Sequence, residues 1–176
     1  MIQGEKVYLR IVNQVDLPLL ESLENDPAYN SEFNSFGLHG AGFLEKRFAE
    51  DGLMSARHGT LLIVTNSPSD TVVGTVSYHQ TGYGPNEASR VYNIGISLVA
   101  TQRGKGYGTE AQRLLTAYLF STYPVMRVEA STDIENIPEQ RALEKAGFTR
   151  DGVMRQSQWR NGGWHDIIVY SKLRGE

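Results

Sequence analysis

Three glycines and two cations crowd into Gln102-Arg103-Gly104-Lys105-Gly106-Tyr107-Gly108-Thr109-Glu110. Glycine lets the backbone bend and lets a ligand approach the main chain where a Cβ would block it. A helix starting here offers N–H groups with no intrahelical partner, and its dipole favours an anion. Each dipole contact contributes only about 0.3–1 kcal/mol, so holding a pyrophosphate needs several converging N–H groups. Spacing separates the ligands such a cradle can take. A P-loop puts its lysine after the last glycine, beside a Ser or Thr; Lys105 lies between two glycines, which removes that reading. The dinucleotide fingerprint Gly-x-Gly-x-x-Gly belongs in a βαβ unit near the start of a fold. The pattern here is Gly-x-Gly-x-Gly, late in the chain, so that reading is weak although Glu129 stands at the spacing of a ribose-binding acid.

The elements around the cradle follow from periodicity. The β-branched run Val91 to Val99 predicts a strand entering it. Ala111, Leu114, Leu115, Tyr118 and Leu119 recur at helical spacing beyond it, which predicts a helix over Gly106 to Ser121. Upstream, Lys6 to Asn13 predicts a strand, and Asp16 a cap for a helix over Leu17 to Asn25 with Pro18 in its first turn. Phe43 to Met54 predicts a second helix with Phe43, Arg47 and Phe48 near one face. Between the helices, Asn25 to Gly42 reads as a long loop with a broken helical turn, either a binding element or a surface loop anchored by Phe side chains. Thr60 to Thr65 and Thr71 to Gln80 predict strands joined by a turn. Their short connections, to each other and to Val91–Val99, require antiparallel pairing. Arg127 to Ser131 predicts a strand, Pro138 to Ala146 a helix ended by Gly147, and Val153 to Trp159 with His165 to Leu173 a hairpin turning at Asn161-Gly162-Gly163. The fold class is α+β, a mixed α/β sandwich rather than a doubly wound sheet.

The chain's 176 residues suit one domain with a substantial core. The absence of cysteine excludes disulfides, thiolate metal sites and a cysteine nucleophile. A net charge of −3 with mixed signs gives no electrostatic case for nucleic acid or an anionic membrane. No apolar run reaches the roughly 20 residues of a membrane span, and Met1 to Arg10 does not read as a signal peptide. A soluble, cytoplasmic protein is expected.

From Asn93 to Leu173 the chain resembles the RimJ/RimL-like branch of the GNAT (GCN5-related) N-acetyltransferase family. The residues that carry the likeness are Ile94-Gly95-Ile96, the Arg103-x-x-Gly106-x-Gly108 loop running to Thr109-Glu110-Ala111, and Arg127-Val128-Glu129-Ala130. Asn136, Ala142 to Phe148, Gly152, Val153 and Arg155 follow, then His165-Asp166 before Tyr170-Ser171-Lys172-Leu173. The resemblance implies a single acyltransferase domain over 1–176. Its mixed, mostly antiparallel sheet would have about seven strands flanked by helices, the central strands splayed to admit acyl-CoA. It implies acetyl-CoA as co-substrate and no metal. Arg103, Gly104, Lys105, Gly106, Tyr107, Gly108 and Thr109 would hold the pyrophosphate, and the strand end at Ser97, Leu98 and Val99 would pair with the pantetheine amides. Asn136 would hold the pantetheine arm, and Lys145 or Arg150 would meet the ribose phosphate. The acceptor would be an amine of a small molecule or a protein N-terminus, the protein a monomer or a homodimer.

Acetyl transfer to an amine needs a neutral nucleophile, a donor to the developing oxyanion and a proton for the leaving thiolate. A lysine-like amine costs about 4–5 kcal/mol to neutralise at pH 7, an α-amino group only about 1. The chain departs from the family pattern in two places, one on a strand and one on a helix. Asn93 stands where relatives often carry a glutamate, and it can orient a water but not act as a base. Glu139 and Leu143 stand where relatives often present a serine or a tyrosine, so Glu139 can serve as thiolate acid only when protonated or through water. Alternation puts Thr75, Ser77 and His79 on one face and Asn93, Gly95 and Ser97 on one face. If these are the same face of the sheet, they form a polar patch beside the acyl arm, with His79 the side chain that titrates near neutrality. Trp159, Trp164 and Asp166 are candidates to close the acceptor pocket, whereas His39 and His58 fall in loop-like segments and receive no catalytic role. The residual acidity leans toward a cationic acceptor such as an amino sugar or polyamine. The departures keep open a non-catalytic acyl-CoA-binding sensor or scaffold.

Overall fold

A computed structural model describes all 176 residues, Met1–Glu176. Eight strands build one sheet: β1 (Ile2–Gln3), β2 (Val7–Ile11), β3 (His58–Thr65), β4 (Val72–Gly82), β5 (Arg90–Leu98), β6 (Arg127–Asp133), β7 (Thr149–Arg160) and β8 (Gly163–Leu173). Their order is β1-β2-β3-β4-β5-β6-β8-β7, and only β5 and β6 run parallel. The sheet thus has one strand more than the expected seven. The extra strand, β1, is two residues long, too short for alternation to register.

Helices α1 (Leu17–Glu24), α2 (Pro27–Asn30) and α3 (Phe43–Asp51) lie in the first half, α4 (Tyr107–Thr122) and α5 (Ile137–Ala146) in the second. Period-2 alternation sends β3 into two cores. Leu61 and Ile63 join Ala111, Leu115 and Leu119 of α4 and Leu143 of α5, while Leu62 and Val64 join Leu17 and Leu20 of α1 and Leu44 of α3. Burying each of these side chains contributes roughly 1.5–3 kcal/mol.

The turns follow the expected chemistry. Gly147 ends α5 at φ 92°, and Asn161 and Gly162 turn the β7–β8 hairpin at φ 51° and 80°, the paired left-handed residues of a type I′ turn. Asp16 departs from the expectation. It sits at the start of α1, but its carboxylate turns back to accept from the Asn13 N–H at 2.8 Å and from both terminal nitrogens of Arg10 at 2.7 and 2.8 Å. Those Arg10 hydrogen bonds hold its carboxyl below the usual range against burial.

Candidate active site

The parallel ladder between β5 and β6 is only three pairs long, ending at Ile94↔Ala130, although β5 continues to Leu98 and β6 to Asp133. Beyond that pair each strand keeps only its outer neighbour. The Val99 N–H bonds the Val73 carbonyl at 2.9 Å. Alternation along the ladder then turns the peptide groups of Ile96 and Leu98 toward the gap. The Leu98 carbonyl takes the Arg103 Nε at 3.1 Å; the groups left unpaired need a partner, and they face a cleft of about 690 Å³.

The cradle closes one end of that cleft. Gly106 takes φ 86° as the cap of α4, and a Cβ on it would meet Lys6 Nζ at 3.0 Å; one on Gly108 would meet the Ile96 and Leu98 side chains at 3.3 Å. The first helical hydrogen bond runs from the Glu110 N–H to the Gly106 carbonyl, so the N–H groups before it are unpaired within α4. Lys6, Arg103, Arg113, Arg141 and Lys145 all line the cleft. Glu110 contributes no loose negative charge there, because its carboxylate accepts the N–H groups of Glu5, Lys6 and Val7 at 2.6, 2.9 and 3.2 Å.

On the α5 wall, Asn136 caps the helix with Oδ1, 3.4 Å from the Glu139 N–H, which leaves its amide nitrogen for the cleft. Burial pushes the Glu139 carboxyl up to about 7, against the pull of the Gln112 amide donating to it at 2.8 Å. The Gln112 Oε1 is buried with no partner.

A second cavity of about 280 Å³ adjoins the first along Gly95, Ile96 and Ser97. The register builds its floor in rows: His58↔His79↔Asn93, then Thr60↔Ser77↔Gly95, then Leu62↔Thr75↔Ser97. The two predicted polar triplets therefore lie on one face, the face covered by α1 and α3. Tyr29 lies between the cavities: its hydroxyl is 3.0 Å from Thr75 Oγ1 and donates to the Ser97 carbonyl at 3.4 Å. Burial raises it to about 12, so it stays protonated.

One wall of this cavity is a chain of contacts that starts near Tyr29 and ends at Arg47. The Glu24 carboxylate lies 3.8 Å from His39 Nε2, His39 stacks on Phe43 at 4.3 Å, and the Arg47 guanidinium sits 5.6 Å from that same ring. Two hydrogen bonds between Asn25 and the His39 backbone, at 2.9 and 3.0 Å, fold the 31–42 loop back onto α1. His58 is the first residue of β3, not part of a loop. Its Nε2 lies 2.8 Å from the Asp51 carboxylate, and the side chain lines this second cavity.

The sequence candidates divide accordingly. Leu98, Arg103, Gly104, Gly106, Gly108, Thr109, Asn136, Glu139 and Lys145 line the cleft, His79 lines the second cavity, and Ser97 lines both. Five others line neither: Asn93 ends the His58–His79 row outside the cavity, Val99 spends its N–H on Val73, and Lys105 donates to Gln102 at 2.7 Å. Tyr107 packs against the core, and Arg150 is on β7. Arg103 has largely another task, since its Nε donates to the Leu98 carbonyl at 3.1 Å and its Nη2 to those of Ala28 and Tyr29 at 2.9 and 2.8 Å. Trp159 and Trp164 meet edge to face at the exposed hairpin tip, and Asp166 orders the β7 bulge by accepting the Gln156 N–H at 2.8 Å; none of the three lines either cavity.

Several cleft and cavity residues escaped the sequence reading, Lys6, Arg113, Arg141, Glu24 and Arg47 among them. Arg113 follows Gly106 by seven positions, two helical turns, and Arg141 precedes Lys145 by one turn, so helical spacing carried a signal for both. Glu24 and Arg47 carried none, because tertiary packing alone brings them to the β4–β5 face.

Residues 6–149 match the acetyltransferase (GNAT) domain. The probable N-acetyltransferase YjcK of Bacillus subtilis (strain 168) is 37% identical over 110 residues, 62% of this chain and 59% of that protein. The match therefore spans less than two thirds of that relative's length. Among solved structures, a RimL ribosomal L7/L12 α-N-protein acetyltransferase in complex with coenzyme A has a similar fold, with a TM-score of 0.80 and 18% identity over 97% of this chain and 95% of that one. So does the spermidine N-acetyltransferase of Vibrio cholerae in complex with CoA and spermine, with a TM-score of 0.79 and 17% identity over 96% of each. The matched residues begin at Lys6 beside the cradle and run past both splayed strands and the whole of α5, and on that span the chain belongs to the GNAT acetyltransferase family.

Proposed function

We propose that this chain is a single-domain N-acetyltransferase that moves an acetyl, or another short acyl, group from acyl-CoA to a primary amine. The observation that carries this reading is the junction of the two cavities. An open backbone edge leads from a glycine cradle ringed by cations to Gly95–Ser97, where a hydroxyl-floored pocket begins on the other side. The residues present fit a CoA thioester. Unpaired N–H groups at the start of α4 and the charges of Lys6, Arg113, Arg141 and Lys145 suit its phosphates. The peptide groups of Ile96 and the Leu98 N–H, with the Asn136 amide, suit its pantetheine arm.

In the reaction the amine nitrogen attacks the thioester carbonyl carbon, the C–S bond breaks, the nitrogen gives up a proton and the sulfur gains one. A backbone N–H of the splayed β5 segment is placed to donate to the oxyanion, in the role that is often the largest single contribution to such catalysis. Glu139, held near pH 7, keeps a proton that it can deliver to the thiolate. His79 is the base on the acceptor side. His58, one strand away and oriented by Asp51, is the alternative. Leu143, where a hydroxyl is often found, is buried in the core and takes no part.

The acceptors named for structural relatives, a ribosomal protein N-terminus and spermidine, leave both acceptor classes open. The test is release of free thiol from acetyl-CoA across amines, N-terminal peptides and aminoglycosides, with CoA affinity measured in parallel. Turnover on any of them supports the enzyme; CoA binding without turnover supports the sensor; absence of CoA binding overturns both.

A further inference from the structure

The second cavity is lined by charges of both signs. Its floor is polar, with the hydroxyls of Thr60, Thr75 and Ser77 in adjacent rows. One carboxylate, Glu24, stands toward the cleft end, close enough to raise the Tyr29 hydroxyl through its charge. One cation, Arg47, lines the same cavity and has no carboxylate within 4.0 Å. Its guanidinium is held by the Phe43 ring at 5.6 Å, and Phe43 in turn is fixed by His39. A planar fork presented in this way suits a carboxylate, which it can bind bidentately.

We propose that the acceptor is a small amine that also bears a carboxylate, an amino-acid-like molecule, with Arg47 binding the carboxylate and Glu24 facing the amino end. This rests on the acyltransferase reading of the preceding section. A volume of about 280 Å³ lies at the small end of ligand pockets, which suits a metabolite-sized acceptor. A polyamine or amino sugar, the class toward which net charge alone leans, would set a second positive charge against Arg47. Like charges so placed disfavour the wrong partner.

The experiment uses the intact protein with acetyl-CoA and matched acceptors: free α- and ω-amino acids of increasing length, the carboxamide of each, and spermidine. The expected result is a kcat/KM at least tenfold higher for some carboxylate over its carboxamide and over spermidine. Arg47→Gln should reduce that ratio to near one through a roughly 10- to 100-fold rise in KM for the carboxylate. Arg47→Lys, which keeps the charge, should retain part of it. Equal use of carboxylate and carboxamide by the native protein, or a ratio unchanged in Arg47→Gln, overturns the inference while the acyltransferase reading stands. CoA binding without thiol release from any acceptor overturns that reading, and the inference with it.

Discussion

Glu139→Gln separates burial from chemistry at one position. A glutamate held at about 7 instead of 4.5 favours its neutral form by up to about 3 kcal/mol. Between those values the unfolded chain has released the proton and the folded chain has kept it. The folded state then binds more protons, and stability falls as pH rises. Glutamine copies the shape of the neutral acid and still accepts from the Gln112 amide, so at pH 5 the two proteins should melt together. By pH 8.5 the variant should melt up to about 6–12 °C higher, since 1 kcal/mol corresponds to roughly 2–4 °C for a chain of this size. Activity should move the other way. Loss of the proton donor should lower kcat by about 10²- to 10⁴-fold and remove the alkaline limb near pH 7 from its pH profile. Melting by calorimetry from pH 5 to 8.5 and thiol-release kinetics over the same range make the comparison. A melting offset independent of pH would refute the raised carboxyl, and an unchanged kcat would refute its role as thiolate acid.

Gly106→Val places a β-branched residue at φ 86° against Lys6 Nζ, and titration calorimetry should find CoA binding lost; normal affinity would refute the cradle assignment. His79→Ala should lower kcat/KM by about 10²- to 10⁴-fold in thiol-release kinetics. If His58→Ala does this instead, the base is the imidazole beside Asp51. Arg103→Ala removes donors from the Ala28, Tyr29 and Leu98 carbonyls, and should speed proteolysis of the 25–42 segment several-fold while destabilising the chain by about 1.5–3 kcal/mol. Asp133 is fully buried against Arg160, with His165 Nδ1 at 3.1 Å, so Asp133→Asn should cost about 3–5 kcal/mol by denaturant titration. Burial raises that carboxyl, but the Glu135 N–H and Arg160 outweigh it and hold it low. Its contribution is therefore complete above the ordinary carboxylate range and is lost as pH falls through the depressed value.

What was legible in the sequence was what local geometry requires. The glycines at 104 and 106 take positive φ, so the cradle had to be written in glycine. The connections between β3, β4 and β5 are too short for a crossover, so the polar triplets 75, 77, 79 and 93, 95, 97 had only their common face left to settle. His58 was lost to the loop before the Thr60 run because Gly59 breaks the strand signal. The structure gives the reason for that glycine, since the Tyr78 ring lies over it and a Cβ would come within 2.4 Å of the ring. The strand needs the gap, and the gap hides the strand.

Arg103 has a further task that its place in the cradle does not announce. A cation in a phosphate cradle invites assignment to the phosphate, but type and spacing say nothing of what else lies within reach of a long side chain. Here α2 ends beside the cradle with carbonyls that its own four residues cannot satisfy, and Arg103 supplies donors to two of them. The same α2 carries Tyr29 to Thr75 and Ser97 at the boundary of the two cavities. Arg103 therefore fixes the wall that the second cavity shares with the cleft. Lys6, Arg113, Arg141 and Lys145 bring further positive charge to the cleft from three separate parts of the chain and converge only in the folded protein.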